Sequence, residues 1–262
     1  MAPIDLPSKL KEAIKEPHGT VNRLNTARIP LCLPPQVKTP FLYTLGLSRY
    51  AEIYLGLEAV WLAEIGDPIR WIGNISGNSD PEDYSNSKER IQAALRLVYL
   101  PELMRTKRFE TDFLILRSLD PQLAGLDRED KNAGSEFRRY IEKHIPAKPH
   151  LLVAYIWIMY QALFNGGLFI RMQLLKAGPE FWGLPTRTMN PAVFPAPLSF
   201  WQVDGEETVK ADFRSRIIKA DKLLTEPERK EILQEAVGIF HRCELITLQL
   251  DEDVHVKVKL EQ

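Results

Sequence analysis

The feature that most constrains this chain is an uncharged run near its middle. Residues 151–170 read LLVAYIWIMYQALFNGGLFI, twenty positions without Asp, Glu, Lys or Arg. A helix of that length can cross a bilayer, or it can lie buried at the centre of a bundle. Gln161, Asn165 and the adjacent Gly166 and Gly167 argue against the bilayer, as does the scarcity of basic residues just ahead of the run, where Lys148 stands alone. The expectation is a buried central helix and no stable membrane insertion. The glycine pair then needs a reason, since each glycine costs a helix interior about 1 kcal/mol relative to alanine.

Helical periodicity dominates the rest of the chain. A first helix is expected from about residue 7 to 15, interrupted or restarted at Pro17 and continued in VNRLNTARI. Residues 31–40 form a proline-punctuated connector. The segment FLYTLGLSRYAEIYLGLEAVWLAEI then sets Leu42, Leu45, Tyr50, Ile53, Tyr54, Leu57 and Trp61 on one broad apolar face, a long core helix. Residues 73–86 and 120–134 read as loops; between them lies a long helical pattern broken near Pro101. Residues 135–144 read as a short helix, and Pro149 suits the first position of the apolar helix. Residues 178–197 are an irregular connector rich in proline and aromatics. Two helices close the pattern, the second opened by Thr225 as N-cap with Pro227 and Glu228 in its first turn. The end, VHVKVKLEQ, alternates without an evident partner strand and reads as a tail. The expected architecture is all-α: a single-domain, multi-helical bundle over residues 1–250 with a C-terminal tail over 251–262.

Composition narrows function mainly by exclusion. With 262 residues, 45% hydrophobic and 26% charged, the chain can build one large core. A formal net charge of −1 gives no global basic field, so nucleic acid is not an expected partner. Cys32 and Cys243 are too few and too far apart for a disulfide framework or a zinc site, and fit a reducing, cytoplasmic setting. The N-terminal residues lack an apolar stretch before a cleavage site, so no secretion signal is expected. No phosphate-binding loop, serine elbow, HExxH or paired CxxC occurs, nor a helical Glu/Asp/His set suited to a di-iron site. His144, His150 and His255 fall at helix ends or in the tail, where solvated roles are expected, and His241 reads as a structural or surface residue. His18 differs in its surroundings. Lys11 lies two turns earlier, and Asn22 follows at i+4 on the same face, where its oxygen can accept the second ring N–H of a metal-ligating imidazole.

In order, KLKEAIKEPHGTVNRL, YLPELMRTKRFETDFLIL, YQALFNGGLFIR and LSFWQVDGEETVKADFRSRIIKADKLLTEPERKEILQEAVGIF resemble four segments of the heme oxygenase family. The resemblance implies an all-helical domain that holds heme between a proximal helix with an iron-ligating histidine and a kinked distal helix with a Gly-Gly pair. His18 falls on the proximal ligand, Gly166 and Gly167 on the distal pair, and Lys11, Lys210 and Arg214 on basic residues that meet the heme propionates. Imidazole is a suitable axial ligand, and basic side chains hold carboxylates through charge-assisted hydrogen bonds. Without the resemblance, the three cations read as a solvated helix face.

This chain departs from the family pattern on its distal segment. The places of an arginine and an aspartate that order water near bound oxygen are taken by Met159 and Leu163, and an earlier glycine is Ala162. Leu163 can neither donate, accept nor order water. Being four apart, Met159 and Leu163 share a helical face, which suggests a polar surface replaced by an apolar one. Pro17, just before the ligand, must bend or restart the proximal helix. The function implied is oxidative cleavage of heme to biliverdin, carbon monoxide and iron, with electrons from a separate reductase, the glycines letting the backbone approach the ring and Asn165 or ordered water supplying protons. A second expectation keeps the heme and drops the turnover, as a carrier or sensor. A third is an enzyme of the same fold acting on another substrate.

Overall fold

The computed structural model describes residues 5–71, 81–123, 131–185 and 195–260. Their α-helices are α1 (Leu6–Ala13), α2 (Lys15–Arg28), α3 (Phe41–Ile65), α4 (Ser87–Leu97), α5 (Thr106–Leu119), α6 (Ala133–His144), α7 (Leu152–Phe164), α8 (Gly166–Lys176), α9 (Glu206–Lys222) and α10 (Glu226–Leu260), joined in part by short 3-10 turns. No strand occurs among the described residues. The expected loops extend in part over 72–80, 124–130 and 186–194, which lie outside the described residues.

Two helices make the centre. In α3, Leu45, Ile53, Tyr54, Leu57 and Trp61 of the expected face are buried, while Leu42 and Tyr50 sit at its edge. Gly66 ends α3 at φ +70°, a left-handed value that suits glycine, and its N–H returns to the Leu62 carbonyl. In α7 every residue from 152 to 160 is buried, as are Leu163 and Phe164. A helix apolar all round is thus covered all round by protein. Among the described residues no single helix is long and apolar enough to cross a membrane, because the run breaks at Asn165 and its two halves are bent by 43°.

The outer helices are fixed by close approach, caps and ion pairs. α6 lies against α3 at Gly134, where an added Cβ would stand 2.4 Å from the Arg49 carbonyl oxygen, and at Gly56, where it would stand 3.1 Å from Arg138 Cγ. Asn86 caps α4, and Asn132 with Ser135 forms a capping box on α6. Thr225 and Glu228 exchange hydrogen bonds at the start of α10, as the sequence leads one to expect. Arg90 of α4 forks onto Glu228 at 2.7 and 3.0 Å, which ties α4 to the base of α10. From there α10 crosses α1, α2, α3, α6 and α7.

Two sequence expectations change here. Residues 251–260 are no extended tail: α10 continues unbroken to Leu260, since no proline or glycine follows Gly238 and propagating an existing helix needs no new nucleus. His150 is not solvated either. It is 7% exposed, and its Nε2 lies 2.8 Å from Glu231 Oε2, because α10 packs over the turn that leads into α7.

Candidate functional site

His18 stands in the first turn of α2. Pro17 has no N–H to offer the Ala13 carbonyl, and its ring crowds that oxygen, so α1 ends at Ala13 and α2 starts afresh after Ile14. The His18 N–H donates to the Ile14 carbonyl at 2.8 Å, so the restart falls just ahead of the imidazole. The imidazole is exposed, but its ring meets Phe240 of α10 edge to face at 5.6 Å, which fixes one side of it. α2 is held on α10 by the Arg28 fork onto Asp251 and by Tyr50, whose hydroxyl meets Asn25, Thr247 and the Cys243 carbonyl. Asn22 is exposed and makes no hydrogen bond to the His18 ring.

The second half of the site is the α7–α8 junction. Ala162, Asn165, Gly166, Phe169 and Met172 are exposed and recur at helical spacing, so an apolar face is left uncovered along the bend. A Cβ on Gly166 would meet nothing within 4 Å. Gly167 faces the other way and is buried, its missing Cβ 3.5 Å from the Trp201 indole. Among the described residues α2 and α8 share no extended packing; α8 instead touches the turn Ile29–Cys32, which carries the half-exposed Leu31.

Met159 and Leu163 do share a face, as their spacing suggests, but that face is the core. Leu163 is 1% exposed, and the Met159 carbonyl accepts from the Tyr54 hydroxyl at 2.9 Å. The apolar substitutions therefore line the interior and not the uncovered face around Gly166. In a uniformly apolar helix the sequence carries no signal of rotation, which is why the two faces are confused at that level.

A pedestal under Gly167, absent from the sequence reading, is built from the turn Ser199–Trp201. Trp201 Nε1 donates to the Tyr43 hydroxyl at 2.8 Å. Asp112 of α5 accepts from Ser199 Oγ at 2.7 Å and from the Phe200 N–H at 2.6 Å, while the buried Arg105 guanidinium donates to the carbonyls of Phe200 and Gln202. Burial outweighs these hydrogen bonds at Asp112 and pushes its carboxyl up to about 6. Burial likewise pushes the Arg105 guanidinium down to about 10. Glu58 of α3, whose carboxyl burial also raises, accepts from the N–H groups of Arg105 and Thr106 and from the Tyr160 hydroxyl, and so caps α5 from another helix. One trace of this was legible: Asp112 falls between Phe109, Phe113 and Leu116 on an apolar face, where an unpaired acid has no ordinary place.

α9 bridges the two halves. It packs on α1 and on α7, where Phe213 stacks on Trp157 at 6.0 Å. Glu206, in its first turn, takes a two-pronged ion pair at 2.7 Å from Arg171 of α8. One turn later Lys210 Nζ lies 3.4 Å from Asn165 Oδ1; a further turn on comes Arg214, and the hydrogen bonds from Ser8, with a smaller contribution from the Arg214 charge, hold the Asp5 carboxyl below its usual range. Lys11, Lys210 and Arg214 form no salt bridge among the described residues. Those residues also contain no cluster of three or more His, Cys, Asp or Glu able to hold a metal ion.

A family model for heme oxygenase matches residues 84–246, which include the glycine pair, Asn165, Lys210 and Arg214 but not Lys11, His18 or Asn22. No curated protein matches the chain. Among solved structures, the chain is similar to heme oxygenase-1 from the cyanobacterium Synechocystis in complex with heme, with 15% identity, a TM-score of 0.67 and coverage of 98% of this chain and 97% of that one. It is also similar to heme oxygenase-2 from Synechocystis in complex with heme and NO (15% identity, TM-score 0.68, 97% and 88% covered). A third likeness is to heme oxygenase from Leptospira interrogans (17% identity, TM-score 0.63, 93% and 98% covered). These likenesses carry the fold, and the family match extends over more than half of the sequence. The chain belongs to the heme oxygenase family.

Proposed function

We propose that this protein binds heme between α2 and α8, with His18 as the axial ligand of the iron, and opens the ring to biliverdin, carbon monoxide and iron with electrons from a separate reductase. The observation that carries the reading is the pairing of an exposed, ring-braced imidazole with an apolar face left uncovered around Gly166. A lone imidazole suits an iron that arrives already held by another ligand, which agrees with the absence of a protein metal cluster among the described residues. Heme, when bound, supplies an iron that activates dioxygen against its own porphyrin rim.

The chain's residues then divide the remaining work. His18 offers a nitrogen lone pair, with Asn22 placed one turn on as an acceptor for its second N–H. Gly166 lets backbone lie close to a flat ligand, and Gly167 allows the helix to sit on Trp201. Phe169 and Met172 exclude water from one side. Lys11, Lys210 and Arg214 meet the carboxylates of the ligand. Leu163 acts from beneath, as packing under the distal backbone, and Asn165 is the polar side chain at the bend itself.

A second reading, heme carriage or sensing without turnover, is favoured by one observation: neither α7 nor α8 contains an Asp or Glu. Titration with hemin tests the binding. A Soret band should form and should be lost or strongly shifted in His18→Ala; a spectrum indifferent to that change overturns the assignment. Supplying electrons under air then separates the two readings, since biliverdin supports cleavage and an intact heme complex supports carriage.

A further inference from the structure

We propose that Lys210 and Gln161 are positioning residues that lock the Asn165 amide at the α7–α8 bend as a polarised hydrogen-bond donor, in the part a carboxylate-ordered water plays elsewhere in the family; this rests on the heme reading above. The geometry is a chain of two hydrogen bonds. Lys210 Nζ donates to Asn165 Oδ1 at 3.4 Å, and Asn165 Nδ2 donates to Gln161 Oε1 at 3.0 Å. An ammonium group has no acceptor, so the oxygen of Asn165 must face Lys210 and its nitrogen must face Gln161. The amide is thereby fixed in one orientation from both ends. Its second N–H stays on the exposed side of the bend, beside Gly166, where a Cβ would meet no atom within 4 Å.

Charge and register reinforce the arrangement. Lys210 joins no salt bridge among the described residues, and an ammonium has three N–H groups, so one can polarise the Asn165 carbonyl and strengthen the opposite N–H as a donor while another meets a carboxylate. The register of α9 is set one turn earlier. Glu206 and Lys210 are four residues apart on the same face of α9, and Glu206 is held in the fork of the buried Arg171. Two successive turns of α9 therefore tie to α8 and to the residue just before it. With no acid on α7 or α8, the Gln161–Asn165–Lys210 chain supplies the polar groups at the bend.

The test uses the reduced hemin complex with carbon monoxide as the probe, because the C–O stretching frequency falls when a positive group or N–H donor lies near the bound molecule. Lys210→Met and Gln161→Leu should each move the stretch to higher wavenumber, Lys210→Arg should return it towards the wild-type value, and Gln161→Leu should keep the wild-type affinity for hemin. Both side chains lie at the edge of the surface, and far-ultraviolet circular dichroism checks that each variant keeps its helix content. A stretch unmoved in Lys210→Met and Gln161→Leu overturns the proposal. So does a loss of hemin affinity in Lys210→Met with an unmoved stretch, which would make Lys210 only a carboxylate holder. If wild-type protein gives no Soret band that depends on His18, the heme reading falls and this inference with it; a His18-dependent band with an indifferent stretch removes the inference alone.

Discussion

Asp112→Asn should change how stability depends on pH, and the size of the change follows from its surroundings. The carboxyl is fully buried and hydrogen-bonded to Ser199 and Phe200, yet burial dominates and holds it at about 6 against 3.8 for an exposed aspartate. The folded protein thus binds this proton more tightly than the unfolded chain does. The stability this supplies is fully present below pH 3.8 and is lost as pH rises through 6. A separation of about two units corresponds to about 3 kcal/mol. Asparagine keeps the shape, accepts from the Phe200 N–H with its oxygen and donates to Ser199 Oγ, but has no proton to lose. Urea unfolding of both proteins from pH 4 to pH 8 isolates the residue, because every other carboxylate cancels in the difference. Wild type minus Asp112→Asn should fall by about 2.5 kcal/mol across that range, since part of the full effect is already lost at pH 4. A flat difference, or one that rises with pH, would refute the claim that burial outweighs hydrogen bonding here.

Gly134→Ala should destabilise the fold by about 2 kcal/mol or more, because its methyl would meet the Arg49 backbone at 2.4 Å and neither helix can yield without separating α3 from α6; a thermal melt unchanged from wild type would refute this. Leu163→Asp should lower stability by about 3 kcal/mol or more in denaturant titration, since it places a carboxylate in the core and not on the uncovered face. Were Leu163 at the uncovered face instead, the variant would melt like wild type.

The bundle was legible because its signals are local. Proline breaks, the Thr225 cap and the periodicity of residues 41–65 each act within a few residues, and the helices start and stop close to where these place them. The break at Ile14 follows from Pro17 by simple accounting of hydrogen bonds. What failed to show was rotation and distance. A helix without a polar side, such as α7, gives no cue to which residues face outward, so the exposure of Ala162 and the burial of Leu163 were open until neighbouring helices were placed. The Arg171–Glu206 fork joins residues 35 apart, and Lys210 reaches Asn165 across 45. Nothing in either segment alone marks them as partners. His150 failed for the same reason, its partner Glu231 lying 81 residues away.

The break ahead of His18 has a mechanical consequence. α1 is moored at the α9–α10 corner, through the Leu6 N–H on Asp221 at the end of α9 and Lys9 on Glu226 at the start of α10, whereas α2 is moored far along α10, through Arg28 on Asp251. Those two anchor points on α10 are 25 residues apart, about 37 Å at helical rise. His18 stands next to the joint between two arms that answer to opposite ends of one long rod. Because Phe240 of that same rod lies edge to face against the ring, the rod that anchors both arms also limits how the imidazole can tilt at the joint.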